Sequence, residues 1–196
     1  MQDYDDRTAL VVVDVQNDFA DPSGALPVPG GQEVVPVVNE EIERAGRSGS
    51  LVVYTQDWHP PSTPHFSTEG GLWPVHCVQG TWGAELHPDL DVVGQVIQKG
   101  TGGEDGYSGF SVRDPTSGDE RDTALESILR RASVERVVVA GLAADVCVKD
   151  TALDAARRGF RTTVLRNASR PVELEPGDAA RAEEELRAAG VEVRER

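Results

Sequence analysis

The sequence predicts a three-layer α/β/α fold built around a doubly wound, mainly parallel sheet of about six strands. Thr8–Val13 is an unbroken apolar run, which is typical of a strand buried on both faces. Strand-like and helix-like segments alternate along the chain, and this favours parallel strands joined by crossover helices. At residues 137–148 a β-branched run stops at Gly141, and a short turn and a helical pattern follow.

The remaining elements follow from the periodicity of the apolar residues. Helical spacing recurs in four segments, at about 33–48, 123–132, 145–158 and 175–189. Short apolar runs predict further strands at 50–55, 94–98, 136–140, 160–165 and 191–193. Gly159 and Gly190 lie where a glycine commonly ends a helix. Residues 101–118, rich in Gly and Ser, are expected to form a loop over a pocket, and 117–122 an exposed polar segment.

Composition predicts a single domain over residues 1–196 and excludes several classes of partner. The net charge is −15, with 34 acidic against 19 basic residues, so nucleic acid and anionic membranes are not expected to bind. No apolar run approaches the ~20 residues of a membrane span, and the acidic N-terminus is no signal peptide. Two cysteines, Cys77 and Cys147, do not make a disulfide framework. We therefore expect a cytoplasmic protein in which Cys147 is a free thiol.

Three polar residues near strand ends are candidates for catalysis. Cys147 lies in the first turn of a predicted helix, where backbone N–H groups and the helix dipole favour a thiolate and bind oxyanions. Taken alone, a buried structural cysteine is the commoner explanation. Asp14 ends the first strand and Lys99 follows the third, and parallel strands bring these ends to one edge. The alternatives are an Asx turn at Asp14 and a solvated edge-strand residue at Lys99.

A second cluster of polar residues follows the second strand. Asp57 and His59 are two residues apart, so in extended backbone their side chains point the same way. His65 follows a proline-rich segment that is expected to bring it back toward Asp57 and His59, and His76 lies eleven residues after His65. Two histidines and a carboxylate commonly bind Zn, Fe or Mn with open coordination positions. The alternative is a set of loop histidines with satisfied hydrogen bonds. His87 has no nearby carboxylate and is expected at the surface.

Taken together, these segments resemble the isochorismatase-like hydrolases, and within them the nicotinamidase branch. The resemblance covers nearly the whole chain and depends on six motifs in order: VVVDVQNDF (11–19), TQDWHPPSTPHF (55–66), WPVHCVQGTWGAELHP (73–88), IQKG (97–100), GYSGF (106–110) and GLAADVCV (141–148). Each motif alone is moderately specific, whereas the ordered set is highly specific.

The resemblance implies an activity and a set of site residues. The implied reaction is hydrolysis of nicotinamide, and also of pyrazinamide, to the acid and ammonia in NAD salvage. The implied catalytic triad is Asp14, Lys99 and Cys147. The implied ligands of one divalent metal, zinc first with iron or manganese as alternatives, are Asp57, His59 and His65, with His76 near or on the metal in some members. The implied pocket residues are Phe19, Trp73 and Tyr107. The implied oxyanion hole is the N–H groups of Ala143 and Cys147, after a cis Leu142–Ala143 peptide bond.

In the implied mechanism Cys147 attacks the amide, Asp14 transfers protons, Lys99 stabilises ionised groups, and the metal binds the pyridine nitrogen. The residues alone equally permit a metal-activated water. A homo-oligomer is compatible with the sequence. Ala144 and Val146 stand where Thr and Tyr are more usual, so the pocket rim is expected to differ.

Other functions fit the sequence less completely. Another amidohydrolase of this family, acting on a ureido or carbamoyl amide, shares the triad but does not need the histidines. An isochorismatase proper lacks the nucleophilic cysteine. A phosphoryl-transfer domain like those of the haloacid dehalogenases requires a second Asp two residues after the first, and Gln16 occupies that position here. A non-enzymatic metal-binding or interaction protein has no use for Lys99 and Cys147 together.

Overall fold

A computed structural model describes residues 4–195. It contains eight strands: β1 (Thr8–Val13), β2 (Leu51–Asp57), β3 (Gln95–Lys99), β4 (Ser111–Arg113), β5 (Glu120–Asp122), β6 (Arg136–Leu142), β7 (Arg161–Arg170) and β8 (Glu192–Arg194). Its α-helices are α1 (Asn17–Ala20), α2 (Val34–Arg47), α3 (Leu125–Arg131), α4 (Cys147–Arg157) and α5 (Asp178–Ala188). Six strands form one parallel sheet in the order β3–β2–β1–β6–β7–β8. This confirms the predicted fold class.

The apolar run of β1 is explained by its position at the centre of the sheet. Leu10 and Val12 pack in the cluster that contains α2, whereas Ala9, Val11 and Val13 pack in the cluster that contains α3 and α4. Successive side chains of a strand point to opposite faces, so a strand covered on both sides needs apolar residues at every position. Helices on both faces make the predicted three layers.

The strand order places a crevice at the carboxyl ends of β1 and β6. The chain proceeds outward from β1 through β2 to β3, then returns to β6 on the other side of β1. Loops leaving β1 and β6 therefore diverge, which is the place where open α/β sheets bind ligands. Asp14 directly follows β1, and Cys147 begins the helix after β6.

Gly141 is required by the close approach of β6 to β1. Its φ is 123°, and a Cβ atom at this position would lie 2.1 Å from the carbonyl oxygen of Val13. The register between β6 and β7 shifts between Val139 and Gly141. The Leu142–Ala143 peptide bond that follows is cis, as the resemblance implies.

Residues 101–118 were wrongly predicted to be loop throughout. β4 and β5 form an antiparallel hairpin in which Ser111 pairs with Asp122. Each strand has three residues and both are largely polar, so apolar periodicity gives no signal for them. β7 also extends five residues beyond the predicted end at 165, and the short α1 was not predicted. None of the helices in the described range is long and apolar enough to cross a membrane.

Candidate active site

Lys99 lies at the centre of a buried charged cluster. Its Nζ is 2.8 Å from Asp14 Oδ2 and 3.9 Å from Cys147 Sγ, and its side chain also forms an ion pair with Asp57. The same Nζ donates to the carbonyl of Gly106. Lys99 is only 1% exposed, so the interpretation as a solvated edge residue is wrong. The two carboxylates raise its pKa well above the usual value against the effect of burial, and it stays charged.

Asp14 is a buried carboxylate whose two oxygens have different partners. Thr55 Oγ1 donates to its Oδ1 at 2.6 Å. Its Oδ2 lies 2.8 Å from the Lys99 ammonium, with which it forms a buried ion pair. Burial, reinforced by the charge of Asp57 and opposed by Lys99, raises the pKa of Asp14 to about 6. Near neutral pH, Asp14 is therefore a carboxylate that can accept a proton.

Cys147 is an almost fully buried thiol at the start of α4. Burial raises its pKa well above the usual value, and the negative charge of Asp14 adds to this, while Lys99 opposes it. Burial therefore outweighs the preference for a thiolate that the helix N-terminus gives. A carboxylate oxygen of Asp14 lies within 4.8 Å of Sγ. The thiol needs a base to ionise it, and Asp14 is the available one.

Two backbone donors remain free beside the sulfur. Within residues 4–195, the N–H groups of Ala143 and Cys147 donate to no protein acceptor. Their neighbours are engaged, since the N–H groups of Val146 and Val148 both donate to the carbonyl of Ala143 at 3.1 Å. Free N–H groups next to a nucleophile can stabilise a developing oxyanion.

Three histidines and Asp57 form a second cluster. Nitrogens of His59, His65 and His76 lie within 4.8 Å of one another. Asp57 Oδ2 is 3.9 Å from His59 Nε2 and 4.0 Å from His76 Nε2. The structure therefore brings together all four residues that the sequence singled out, His76 included.

The donor set of this second cluster fits a divalent cation. Burial lowers the pKa of His59 to about 3 against the effect of Asp57, so its imidazole is neutral. Neither ring nitrogen of His59 has a hydrogen-bond partner among the described residues. A neutral, buried imidazole without a partner, next to a carboxylate and two further imidazoles, is suited to bind a metal ion.

Asp14, Asp57 and Cys147 also lie close enough together to be considered as metal ligands. However, the Lys99 ammonium is within 3.9 Å of Cys147 Sγ and pairs with both carboxylates. A bound cation there would be repelled at short range by a fixed positive charge. The histidine cluster is therefore the better metal site.

A small, partly open pocket lies between the two clusters and is lined by Cys147 on one side and by Asp57, His65 and His76 on the other. Its lining includes the predicted pocket residues Phe19, Trp73 and Tyr107, together with Leu26, Val28 and Val172, which sequence reasoning missed. Trp73 Nε1 donates to Tyr107 Oη at 3.0 Å and so joins two walls. Val146 lines this cavity, whereas Ala144 lines a different one, so only Val146 alters the rim.

Gln16 supports the site although sequence reasoning gave it no positive role. Its side chain donates to the carbonyls of Asp57 and Ala84 and accepts the N–H of Asp57, each at 2.8 Å. It thereby joins the segment after β1 to the end of β2. The sequence indicates this role only in that Gln16 is polar and lies two residues after Asp14. His87 is half-buried and outside the cavity.

Comparison with known proteins places this site in a family. Residues 8–195 match the isochorismatase domain family. The chain is 38% identical over 200 residues to the nicotinamidase of Escherichia coli, covering 93% of this chain and 92% of that protein. It is 39% identical over 192 residues to the nicotinamidase/pyrazinamidase of Mycobacterium tuberculosis, covering 94% and 97%. Pyrococcus horikoshii pyrazinamidase, solved in complex with zinc, is 42% identical with a TM-score of 0.85, covering 97% of this chain and 99% of that one. The chain therefore belongs to the isochorismatase domain family.

Proposed function

We infer that this chain is a nicotinamidase, an amide hydrolase that converts nicotinamide to nicotinate and ammonia, a step of NAD salvage. Its identity to nicotinamidases over more than nine tenths of its length supports this activity. The observation that carries the chemistry is one cavity with a buried Cys–Asp–Lys cluster on one side and a histidine–carboxylate cluster on the other. Pyrazinamide, which has a similar ring and the same amide, is the second expected substrate.

In the first half of the proposed reaction, Cys147 Sγ attacks the amide carbon while Asp14 Oδ2 takes the thiol proton. The N–H groups of Ala143 and Cys147 donate to the oxyanion that forms. The C–N bond then breaks, Asp14 returns its proton to the leaving nitrogen, and ammonia departs. Cys147 is left as a thioester of the acid.

In the second half, Asp14 acts again as the base. It takes a proton from a water molecule whose oxygen attacks the thioester carbon, and the same two N–H groups stabilise the oxyanion. The C–S bond breaks, Cys147 recovers its proton from Asp14, and the acid is released. Lys99 stays protonated throughout and keeps the Asp14 carboxylate ionised in a buried site.

We propose that Asp57, His59, His65 and His76 hold the divalent cation, and that zinc is its identity. When bound there, the cation would supply a Lewis acid for the ring nitrogen of the substrate. Three imidazoles and one carboxylate are ligands that zinc accepts, and the Pyrococcus horikoshii pyrazinamidase was solved with zinc. Phe19, Trp73 and Tyr107 pack against the ring, and this orients the amide toward Cys147.

The test is an ammonia-release assay on nicotinamide, pyrazinamide and a panel of ureido and carbamoyl amides, with zinc, iron or manganese added. The expected result is turnover of the two pyridine or pyrazine carboxamides. Cys147→Ala should reduce turnover by a factor on the order of 10³ or more. The matched control is Cys77→Ala, because Cys77 is also a buried free thiol but lies outside the cavity. Substantial activity in Cys147→Ala, or turnover of the ureido amides alone, contradicts the assignment.

A further inference from the structure

We propose that Asp105 is a positioning residue for the metal site, and that the β4–β5 hairpin holds it in place. The inference rests on the proposed function, because it concerns the tautomer and ring orientation with which His65 would bind the cation. His65 Nδ1 lies 2.6 Å from Asp105 Oδ1. An ionised carboxylate can only accept, so His65 Nδ1 carries the proton and donates. His65 Nε2 is thereby left with its lone pair free to bind a metal.

The three histidines of the cluster differ in what holds their Nδ1 atoms. His76 Nδ1 lies 2.7 Å from the carbonyl of Pro74, and His59 Nδ1 has no partner in the described part of the chain. His65 is the histidine paired with a carboxylate. Such a partner fixes the tautomer and the ring orientation of a ligand and raises its basicity. Asp105 also places a negative charge behind the imidazole ring of His65, which favours a cation in front of it.

The hairpin holds Asp105 through its backbone. The N–H of Asp105 donates to the carbonyl of Arg113 at 2.7 Å, and the N–H of Arg113 donates back to the carbonyl of Asp105 at 2.9 Å. Arg113 is the last residue of β4, so Asp105 is paired with the end of that strand. The neighbouring Glu104 forms an ion pair with Arg121 of β5.

This arrangement gives the polar stretch 111–122 a function that its composition does not suggest. The side chain of Asp105 is 20% exposed, so burial alone does not fix its position. The paired backbone and the Glu104–Arg121 contact together hold the loop after β3 against the hairpin. The hairpin thus determines where the carboxylate behind His65 lies.

The first test measures zinc affinity of the metal-free enzyme by competition with a chromophoric chelator. Asp105→Ala should weaken zinc binding by about 10- to 100-fold. Asp105→Asn should lie between wild type and Asp105→Ala, because its amide oxygen still accepts from Nδ1 but carries no charge. Glu120→Gln is the control with the same change of charge, since Glu120 is exposed on β5 and forms no ion pair among the described residues. It should bind zinc as wild type does. Arg121→Ala should weaken binding in the same direction by less than Asp105→Ala.

The second test reads the His65 tautomer directly by ¹⁵N NMR of the metal-free protein. Wild type should show His65 protonated on Nδ1, and Asp105→Ala should shift it toward a mixture of tautomers. If Asp105→Ala does not fold, the zinc affinity of the isosteric Asp105→Asn decides the question. Wild-type zinc affinity in both Asp105 variants, or an unchanged tautomer in Asp105→Ala, would refute the positioning role. A wild-type enzyme that binds no zinc would instead refute the metal part of the proposed function, and the NMR result would still stand on its own.

Discussion

Replacing Thr55 by valine should move the acid limb of the activity profile to higher pH. Thr55 Oγ1 donates to Asp14 Oδ1 at 2.6 Å, and both residues are fully buried. Burial raises the pKa of Asp14 to about 6, and the Thr55 hydrogen bond is one of the interactions that keep it from rising further. Valine has nearly the same shape as threonine but no hydroxyl, so the substitution removes the bond and leaves the packing.

The size of the shift follows from the strength of that hydrogen bond. A hydrogen bond to a charged group contributes about 1.5–3 kcal/mol, and one pKa unit corresponds to about 1.4 kcal/mol. We therefore expect the pKa of Asp14 to rise by about one to two units in Thr55→Val. Asp14 works as a carboxylate, so activity is lost as pH falls through its pKa. At the midpoint of the wild-type acid limb, the variant should be about 5- to 50-fold less active than wild type, because its ionised fraction falls from about one half to between about 9% and 1%.

The assay is kcat/KM for nicotinamide, measured by ammonia release across the acid and neutral range with metal-loaded enzyme. This parameter reports the pKa values of the free enzyme. Thr55→Ser keeps the hydroxyl and should retain the wild-type midpoint. If the acid limb of Thr55→Val coincides with that of wild type, then Asp14 is not the titrating base. A loss that is uniform at every pH would point to disturbed packing instead.

Three further perturbations test the cluster, the turn and the metal. Lys99→Met leaves two buried carboxylates without their cation, so the free energy of unfolding should fall by about 3–5 kcal/mol and Tm, measured by calorimetry, by about 6–20 °C. The control Lys149→Met removes two partly exposed ion pairs, with Asp150 and Glu185, and should change Tm little; equal Tm values for the two variants would contradict the buried pairing. Gly141→Ala places a Cβ 2.1 Å from the carbonyl oxygen of Val13, so the free energy of unfolding, measured in urea, should fall by about 3 kcal/mol or more. Gly49 is also at positive φ but has open space around it, so Gly49→Ala should lower the free energy of unfolding by about 1–2 kcal/mol. Chelation should raise KM for nicotinamide, and added zinc should restore it; a stripped enzyme with unchanged KM has no metal that orients the ring.

The fold was predictable because its central strands are chemically distinctive. β1 is buried on both faces, so all six of its residues are buried and the five after Thr8 are apolar, and this pattern is visible without any structure. The candidate residues near the carboxyl ends of β1, β2, β3 and β6 follow from the parallel arrangement alone. The burial of Lys99 could not be predicted from the sequence. A lysine at the end of a strand gives the same sequence pattern whether its side chain is solvated at a sheet edge or buried between two carboxylates.

The parts that escaped prediction depend on contacts between distant segments. β4 and β5 are short and largely polar, and none of their residues is buried, so neither periodicity nor hydrophobicity distinguishes them from loop. Asp105 is one of 34 acidic residues, and its partner His65 is 40 positions away. The pKa of Cys147 depends on how deeply the helix start is buried, and that follows from packing rather than from the turn sequence.

Asp57 shows most clearly what spacing alone cannot reveal. Its distance of two residues from His59 predicts one role, that of a metal ligand. In the structure Oδ1 pairs with Lys99, and Oδ2 faces His59 and His76. The second partner arises because Asp57 and Lys99 are matched in register across β2 and β3. In the proposed mechanism, the ring nitrogen is held at the histidine cluster and the amide carbon is attacked at Cys147. These two points are a fixed distance apart in a rigid pyridine carboxamide. A single carboxylate bound to both clusters therefore keeps the metal site and the nucleophile at the separation that the substrate requires.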